Sequence, residues 1–257
     1  MTWVVAGKHL FCARAISDIQ VTLEYPDGKK LYYDSVQKTH AIGSKIVILF
    51  AGSIRLAFSI IEKLKTELPR RLDERLYSEP DVVIKKITRY IKYYYKNLKA
   101  FEKEHVEFLI LISPVRTLTE FGMWKMVSPA FGLIERKEAF EMLEIGSGSI
   151  VREYRDIVQR NSVGVYVIDN GPDRLPDVLV PVGKQALKFV FAEALEYQNA
   201  GISKAMNITL LTHDEIFIRE LPEKPEGEFP HVATSWEELS KLLGKKGIKI
   251  AECHALA

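Results

Sequence analysis

The chain has 257 residues, of which 47% are hydrophobic, and its 36 Lys+Arg against 34 Asp+Glu leave a formal net charge of +2. That balance gives no whole-molecule attraction to nucleic acid or anionic lipid, although a local basic patch stays open. No apolar run reaches the roughly 18 residues of a membrane span, the opening MTWVVAGK lacks the pattern of a secretory signal, and 2 isolated cysteines, Cys12 and Cys253, make no disulfide framework, so a reducing cytoplasm is the expected compartment.

In chain order, residues 3–7 and 10–16 are β-rich runs around Gly7-Lys8-His9, which predicts two strands joined by a tight turn. Cys12 lies in the second run beside Ala13 and is expected to pack as a small hydrophobe. Residues 20–25 and 31–33 flank Pro26-Asp27-Gly28, a turn in which Pro presets φ and Gly accepts positive φ. KIVILF at 45–50 is a buried strand ending at Ala51-Gly52. Ser53 then caps a predicted helix whose stripe is Ala57, Ile60, Ile61, Leu64 and Leu68, with Pro69 expected to end it.

A longer helix is predicted over 80–101, with Val83, Ile84, Ile87, Tyr90, Ile91, Tyr94, Leu98 and Phe101 toward the core and a lysine-rich opposite face. Strands are expected at 108–113, 122–127, 131–136 and 140–145. Gly146-Ser147-Gly148-Ser149 opens a helix over 150–160. A β-like run at 163–168, a proline-containing loop, a helix at 184–198 and strands at 207–211 and 215–218 follow. Residues 222–230 read as a Pro/Glu-rich linker, and 235–243 as a short helix with Ser235 as its cap and Glu238 in support. Strands alternating with pairs of helices fit two sheets sandwiched between helical layers.

Thr2 follows the initiator Met, and its small size permits Met removal. The exposed residue would carry a hydroxyl nucleophile and an α-amine of pKa roughly 7.7–8.0, a base already near neutral. Taken alone, Thr2 is better explained as an ordinary strand-leading residue. Its setting includes Asp18-Ile19-Gln20-Val21-Thr22 after the second strand, Lys38 after the hairpin, Ala51-Gly52 before the first long helix, and Gly146-Ser147-Gly148 before a later one.

In those motifs and their order the chain resembles the proteasome β-subunit family, most closely its simple bacterial branch, the HslV protease. The family's Asp-Gly-Gln-Ala-Thr motif is similar to Asp18-Ile19-Gln20-Val21-Thr22, and the spacing from Thr2 to Asp18 agrees with it. The resemblance covers roughly residues 2–218 and implies an α+β fold, the four-layer αββα Ntn-hydrolase (N-terminal nucleophile) sandwich. The domain would span 1–220 with an insert at about 162–182, and 221–257 would be a linker and short helical C-terminal extension. Trp3 departs from the family, which usually has a second Thr there. The family's further supporting Asp has no clean match, Asn199 being the nearest polar residue.

The resemblance implies a threonine peptidase. Thr2 Oγ would attack a peptide carbonyl, with its own amine as base. Lys38 would favour the deprotonated forms, and Asp18 would hold Lys38, with Lys29, Lys30 and Lys45 as alternative lysines. The Gly52 N–H would stabilise the oxyanion and Ser147 would orient the amine. The structural alternatives are an Asp18–Lys38 surface ion pair, a packing role for Gly52 and a capping role for Ser147. The implied partners are a polypeptide substrate, a homo-oligomeric ring with the helix at 53–68 near a subunit contact, and an AAA-type ATPase. No cofactor is expected. No metal is expected either, because the histidines lack ligand spacing. Rival readings are a transpeptidase or protein ligase, a non-catalytic scaffold, and a nucleic-acid binder using the basic helix face with Tyr93 and Tyr95.

Overall fold

The computed structural model describes residues 2–8, 12–71, 79–114, 121–135, 142–162, 190, 192–194, 196, 202–221, 229–250 and 253–257. Two strands open the chain, β1 (Val4–Lys8) and β2 (Ala13–Asp18), and every residue of both is buried. The hairpin of β3 (Gln20–Glu24) and β4 (Lys30–Asp34) follows, then β5 (Thr39–Ile42), a strand not predicted from the sequence, and β6 (Ile46–Gly52). Helices α1 (Ile54–Arg71) and α2 (Pro80–Lys96) precede β7 (Val106–Ile112), β8 (Gly122–Val127), the short β9 (Ile134–Glu135) and β10 (Met142–Ile145). A 3-10 turn at Ser147–Ile150 leads into α3 (Arg152–Ser162). Strands β11 (Met206–Leu211) and β12 (Ile216–Leu221), helix α4 (Trp236–Gly244) and strand β13 (His254–Leu256) complete the order.

Among the described residues the strands form sheets ordered β10-β1-β2-β11-β12, β5-β6-β7-β8-β9 and β13-β3-β4. The side-chain period of two along each strand builds the layers. On β6, Val47, Leu49 and Ala51 pack with Val4, Ala6, Ala13 and Ala15 of β1 and β2, so the two larger sheets meet face to face. The alternate residues Ile46, Ile48 and Phe50 pack under α1 and α2. On the far side, Val5 and Ile16 pack with Tyr154, Ile157 and Val158 of α3 and with Val190 and Ala194. The result is helices, sheet, sheet, helices: the four-layer αββα α+β fold.

Ser53 caps α1 as predicted, its Oγ accepting the Leu56 N–H at 3.2 Å. Pro69 does not end that helix, whose backbone continues to Arg71. The helix at 80 is shorter than its apolar stripe suggests. It stops at Lys96, which leaves Phe101 on a 3-10 turn and 71% exposed. Tyr93 is exposed, but Tyr95 packs edge-on to Phe131 with ring centroids 5.1 Å apart, so the pair is not an open stacking platform. The sparsely charged side of α1 is covered within the chain: Leu239 and Leu243 of α4 and Ala255 of β13 share its core. The predicted run at 163–168, most of the insert at 162–182, most of the helix at 184–198, Asn199 and most of the linker lie outside the described residues. Cys12 is buried as expected, and burial pushes its thiol up to about 11.

His40 of β5 is buried against Phe50 and Phe58, with its Nε2 2.9 Å from the Gln37 carbonyl and its Nδ1 3.4 Å from Lys65 Nζ. Burial first, and the Lys65 charge second, lower its pKa from 6.5 to about 3. The unfolded chain therefore takes up a proton that the folded chain refuses between those values, so stability is lost as pH falls from 6.5 to about 3. In urea titrations across that window, the wild type should lose stability more steeply than His40→Gln, by up to about 1.4 kcal/mol per pH unit. Parallel slopes would contradict the assignment.

Candidate active site

Thr2 lies two residues before β1, and Trp3, which leads into that strand, lies across from Asp18 at the end of β2. The Trp3 N–H donates to Asp18 Oδ1 at 2.9 Å, and the Asp18 N–H donates back to the Trp3 carbonyl at 3.1 Å. This exchange holds the start of the chain against the carboxylate. Asp18 Oδ2 also accepts the Gln20 N–H at 3.1 Å.

Lys38 enters from the segment between β4 and β5, where its carbonyl accepts the Phe50 N–H at 3.1 Å. Its Nζ donates to both Asp18 oxygens at 2.9 Å and to Thr2 Oγ1 at 3.0 Å. Lys38 and Asp18 are both 0% exposed, so the pair is buried and the surface ion-pair reading does not apply. Removing an ammonium from water disfavours its charged form, and burial accordingly lowers the Lys38 pKa below 10.5 despite the opposing pull of Asp18. The alternative lysines are engaged or placed elsewhere: Lys30 pairs with Glu24 at 3.2 Å, Lys45 donates to the His213 carbonyl, and Lys29 is exposed.

Ser147 and its glycines meet Thr2 from the other side. The Thr2 nitrogen is 3.0 Å from Ser147 Oγ, and the Gly148 N–H donates to the Thr2 carbonyl at 2.7 Å. Gly146 has φ of +88°, and a Cβ there would lie 2.5 Å from the Thr2 carbonyl oxygen. The bulk of Trp3 is absorbed by α3: its ring stacks on Tyr154 with centroids 4.5 Å apart, and its Nε1 donates to Glu144 at 2.9 Å. Gly52, with φ of +91°, closes β6, and a Cβ there would lie 2.5 Å from the His105 carbonyl oxygen. Thr2, Gly52 and Ser147 line one cleft of about 900 Å³, with Thr22, Leu256 and Ala257 also in its wall.

All five predicted residues thus fall into one region: Thr2, Asp18 and Lys38 in contact, Ser147 on the Thr2 nitrogen, and Gly52 across the cleft. Two features were missed. Asp34 ends β4 opposite Gln20, within the electrostatic reach of Asp18 and Lys38, and burial raises its pKa while a hydrogen bond with Ser203 opposes the rise. The register of the hairpin around Pro26-Asp27-Gly28 was the signal for it. The second is the segment ending at Ala257, which pairs with Gly52 itself: the Gly52 N–H donates to the Ala257 carbonyl at 2.9 Å, and the Ala257 N–H donates to the Gly52 carbonyl at 2.7 Å.

Comparison with protein-family models finds no match. Comparison with curated protein sequences likewise finds none. Solved structures do match. The Gly-1 mutant of Anbu from Hyphomicrobium sp. strain MC1 aligns with TM-score 0.56 and 14% identity, over 96% of this chain and 94% of that one. Anbu, described as an ancestral beta-subunit, from Yersinia bercovieri aligns with TM-score 0.56 and 12% identity, over 95% of this chain and 93% of that one. At such identities the likeness concerns the fold, which is proteasome-like, and it does not single out HslV.

Replacing Gly146 with alanine places a methyl group against Thr2 and strains a left-handed backbone. Gly146→Ala should cost at least about 1 kcal/mol in urea unfolding. Unchanged stability would mean that Thr2 is not held this closely.

Proposed function

We propose that the protein is a threonine peptidase of the proteasome type, acting through an acyl-enzyme on Thr2. The observation that carries this reading is the buried Lys38 Nζ, shared between Thr2 Oγ1 at 3.0 Å and the Asp18 carboxylate at 2.9 Å. In a chain that begins at Thr2, the nitrogen now beside Ser147 Oγ is a free α-amine, a base of pKa roughly 7.7–8.0. It takes the hydroxyl proton as Thr2 Oγ attacks a peptide carbonyl. The Lys38 charge disfavours a proton on the amine and favours the developing alkoxide. The Gly52 N–H, once released from the Ala257 carbonyl, is the donor for the oxyanion. Collapse of the tetrahedral intermediate breaks the C–N bond, and the leaving amine receives the proton. Water, activated by the same α-amine, then attacks the Thr2 ester and releases the acid.

The reading extends to assembly. The structural likeness to a beta-subunit supports a homo-oligomeric ring, to which an AAA-type ATPase would deliver polypeptide in the cytoplasm. The ring does not rest on an open apolar side of α1, because α4 covers that side. Nucleic acid is not part of this function.

A peptidyl epoxyketone, which closes a ring with a threonine hydroxyl and its α-amine, tests the chemistry. Intact mass should show one inhibitor added to a chain beginning at Thr2 and none on Thr2→Ala. Lys38→Ala should react at least about 100-fold more slowly while keeping its circular dichroism spectrum. Full reactivity of Lys38→Ala would remove Lys38 from the mechanism, and a wild type that is unreactive both as the full chain and without residues 254–257, the segment hydrogen-bonded to Gly52, would leave a scaffold. Light scattering tests the ring: the expected mass is a multiple of 29.3 kDa, and a monomer across a range of protein and salt concentrations would refute it.

A further inference from the structure

One wall of the cleft beside Thr2 is a peptide strand, and it comes from the same chain. β13 lies antiparallel to β3, with His254 opposite Glu24, Ala255 opposite Leu23 and Leu256 opposite Thr22. On its other side Leu256 forms a bridge with Ser53, and Ala257 exchanges both backbone hydrogen bonds with Gly52. The segment is therefore held from both sides by backbone groups, which is how an extended peptide is recognised by addition of a strand. Its side chains alternate. Ala255 turns into the core with Leu23, Phe50 and Ile54, Ala257 joins that core and also borders the cleft, Leu256 borders the cleft with Thr2, and His254 is exposed.

We propose that residues 254–257 are a built-in peptide ligand of this cleft, bound in the register of an acyl donor. The proposal rests on the Thr2 reading above, because it takes the Gly52 N–H as the oxyanion donor. That N–H is occupied by the Ala257 carbonyl, so Ala257 stands where the residue supplying the attacked carbonyl would stand. Two consequences follow. The segment must leave before another peptide can pair with β3 and Gly52, which makes this binding edge self-blocked. A replacement peptide is extended and carries small side chains at the positions of Ala255 and Ala257, where the backbone lies against the core, and accepts larger ones at the positions of His254 and Leu256. The tether strengthens the block, since an attached strand competes at an effective concentration on the order of millimolar.

Fluorescence anisotropy with labelled His-Ala-Leu-Ala tests this without any bond being made. The peptide should bind saturably to a chain lacking residues 254–257, and at least about tenfold more weakly to the full chain. Labelled His-Phe-Leu-Phe should bind neither. Equal affinity for both chains, or no binding to a shortened chain that still melts cooperatively, overturns the proposal. If the shortened chain does not fold, the full chain with Thr22→Cys, Leu256→Cys and Cys253→Ser takes its place, since Thr22 and Leu256 are register partners. The disulfide should then form, and the peptide should bind only after reduction. A disulfide that fails to form, or identical binding in both states, overturns the proposal. Peptide binding as expected, with no epoxyketone adduct on either chain, would remove the peptidase reading and leave the built-in ligand standing.

Discussion

A lysine and an aspartate with no exposure to water hold the candidate site together. Burying two charges costs several kcal/mol per ion unless geometry and further hydrogen bonds compensate. Here Lys38 Nζ meets both Asp18 oxygens, and those oxygens also accept the Trp3 and Gln20 N–H groups. Asp18 thereby joins the start of β1, the turn into β3 and the segment that carries Lys38. Deleting either charge strands the other in the core, so the pair orders the backbone around Thr2 as well as its chemistry. The lowered Lys38 pKa is the electrostatic counterpart of that burial.

Around this pair the layers perform separate tasks. The sheet-to-sheet core built from β1, β2, β6 and β7 places Thr2 and Gly52 on a common cleft. α3 supplies Tyr154 behind Trp3, so the bulky residue after Thr2 becomes an anchor for the strand start. α4 and β13 contribute Leu239, Leu243 and Ala255 to the core under α1, and β13 brings Ala257 to Gly52. The last part of the chain is thus joined to both the packing and the site.

Much of the layered fold was legible because long periodic runs declare themselves. The stripe Ala57, Ile60, Ile61, Leu64 and Leu68 marks α1, and the apolar run ending at Phe50 marks β6. The errors have local causes. Pro69 suggests a stop by its sequence, but the backbone stays helical beyond it. Phe101 kept the helical phase of α2 but follows the break at Asn97, whose N–H closes the last turn. β5 is four residues long, and His40 interrupts its apolar pattern, so its strand character comes from pairing with β6. β13 is shorter still, and nothing in His254-Ala255-Leu256 announces a strand without β3 and Gly52 beside it. The roles of Asp18, Gly52 and Ser147 came from the family resemblance, through short motifs that the sequence does display in order. Lys38 needed the resemblance, because a charged residue in a core runs against every local rule.

The electrostatic state of Lys38 is what ties geometry to chemistry, and it can be observed directly. Carbon-13 labelling of the lysine ε-carbons, with Lys38→Arg to assign the resonance, gives the titration of this residue in the folded chain. A midpoint below 10.5, falling further in Asp18→Asn as the stabilising carboxylate is removed, is the expected result. A midpoint at or above 10.5, unaffected by Asp18→Asn, would contradict a buried lysine held by Asp18 against the Thr2 hydroxyl.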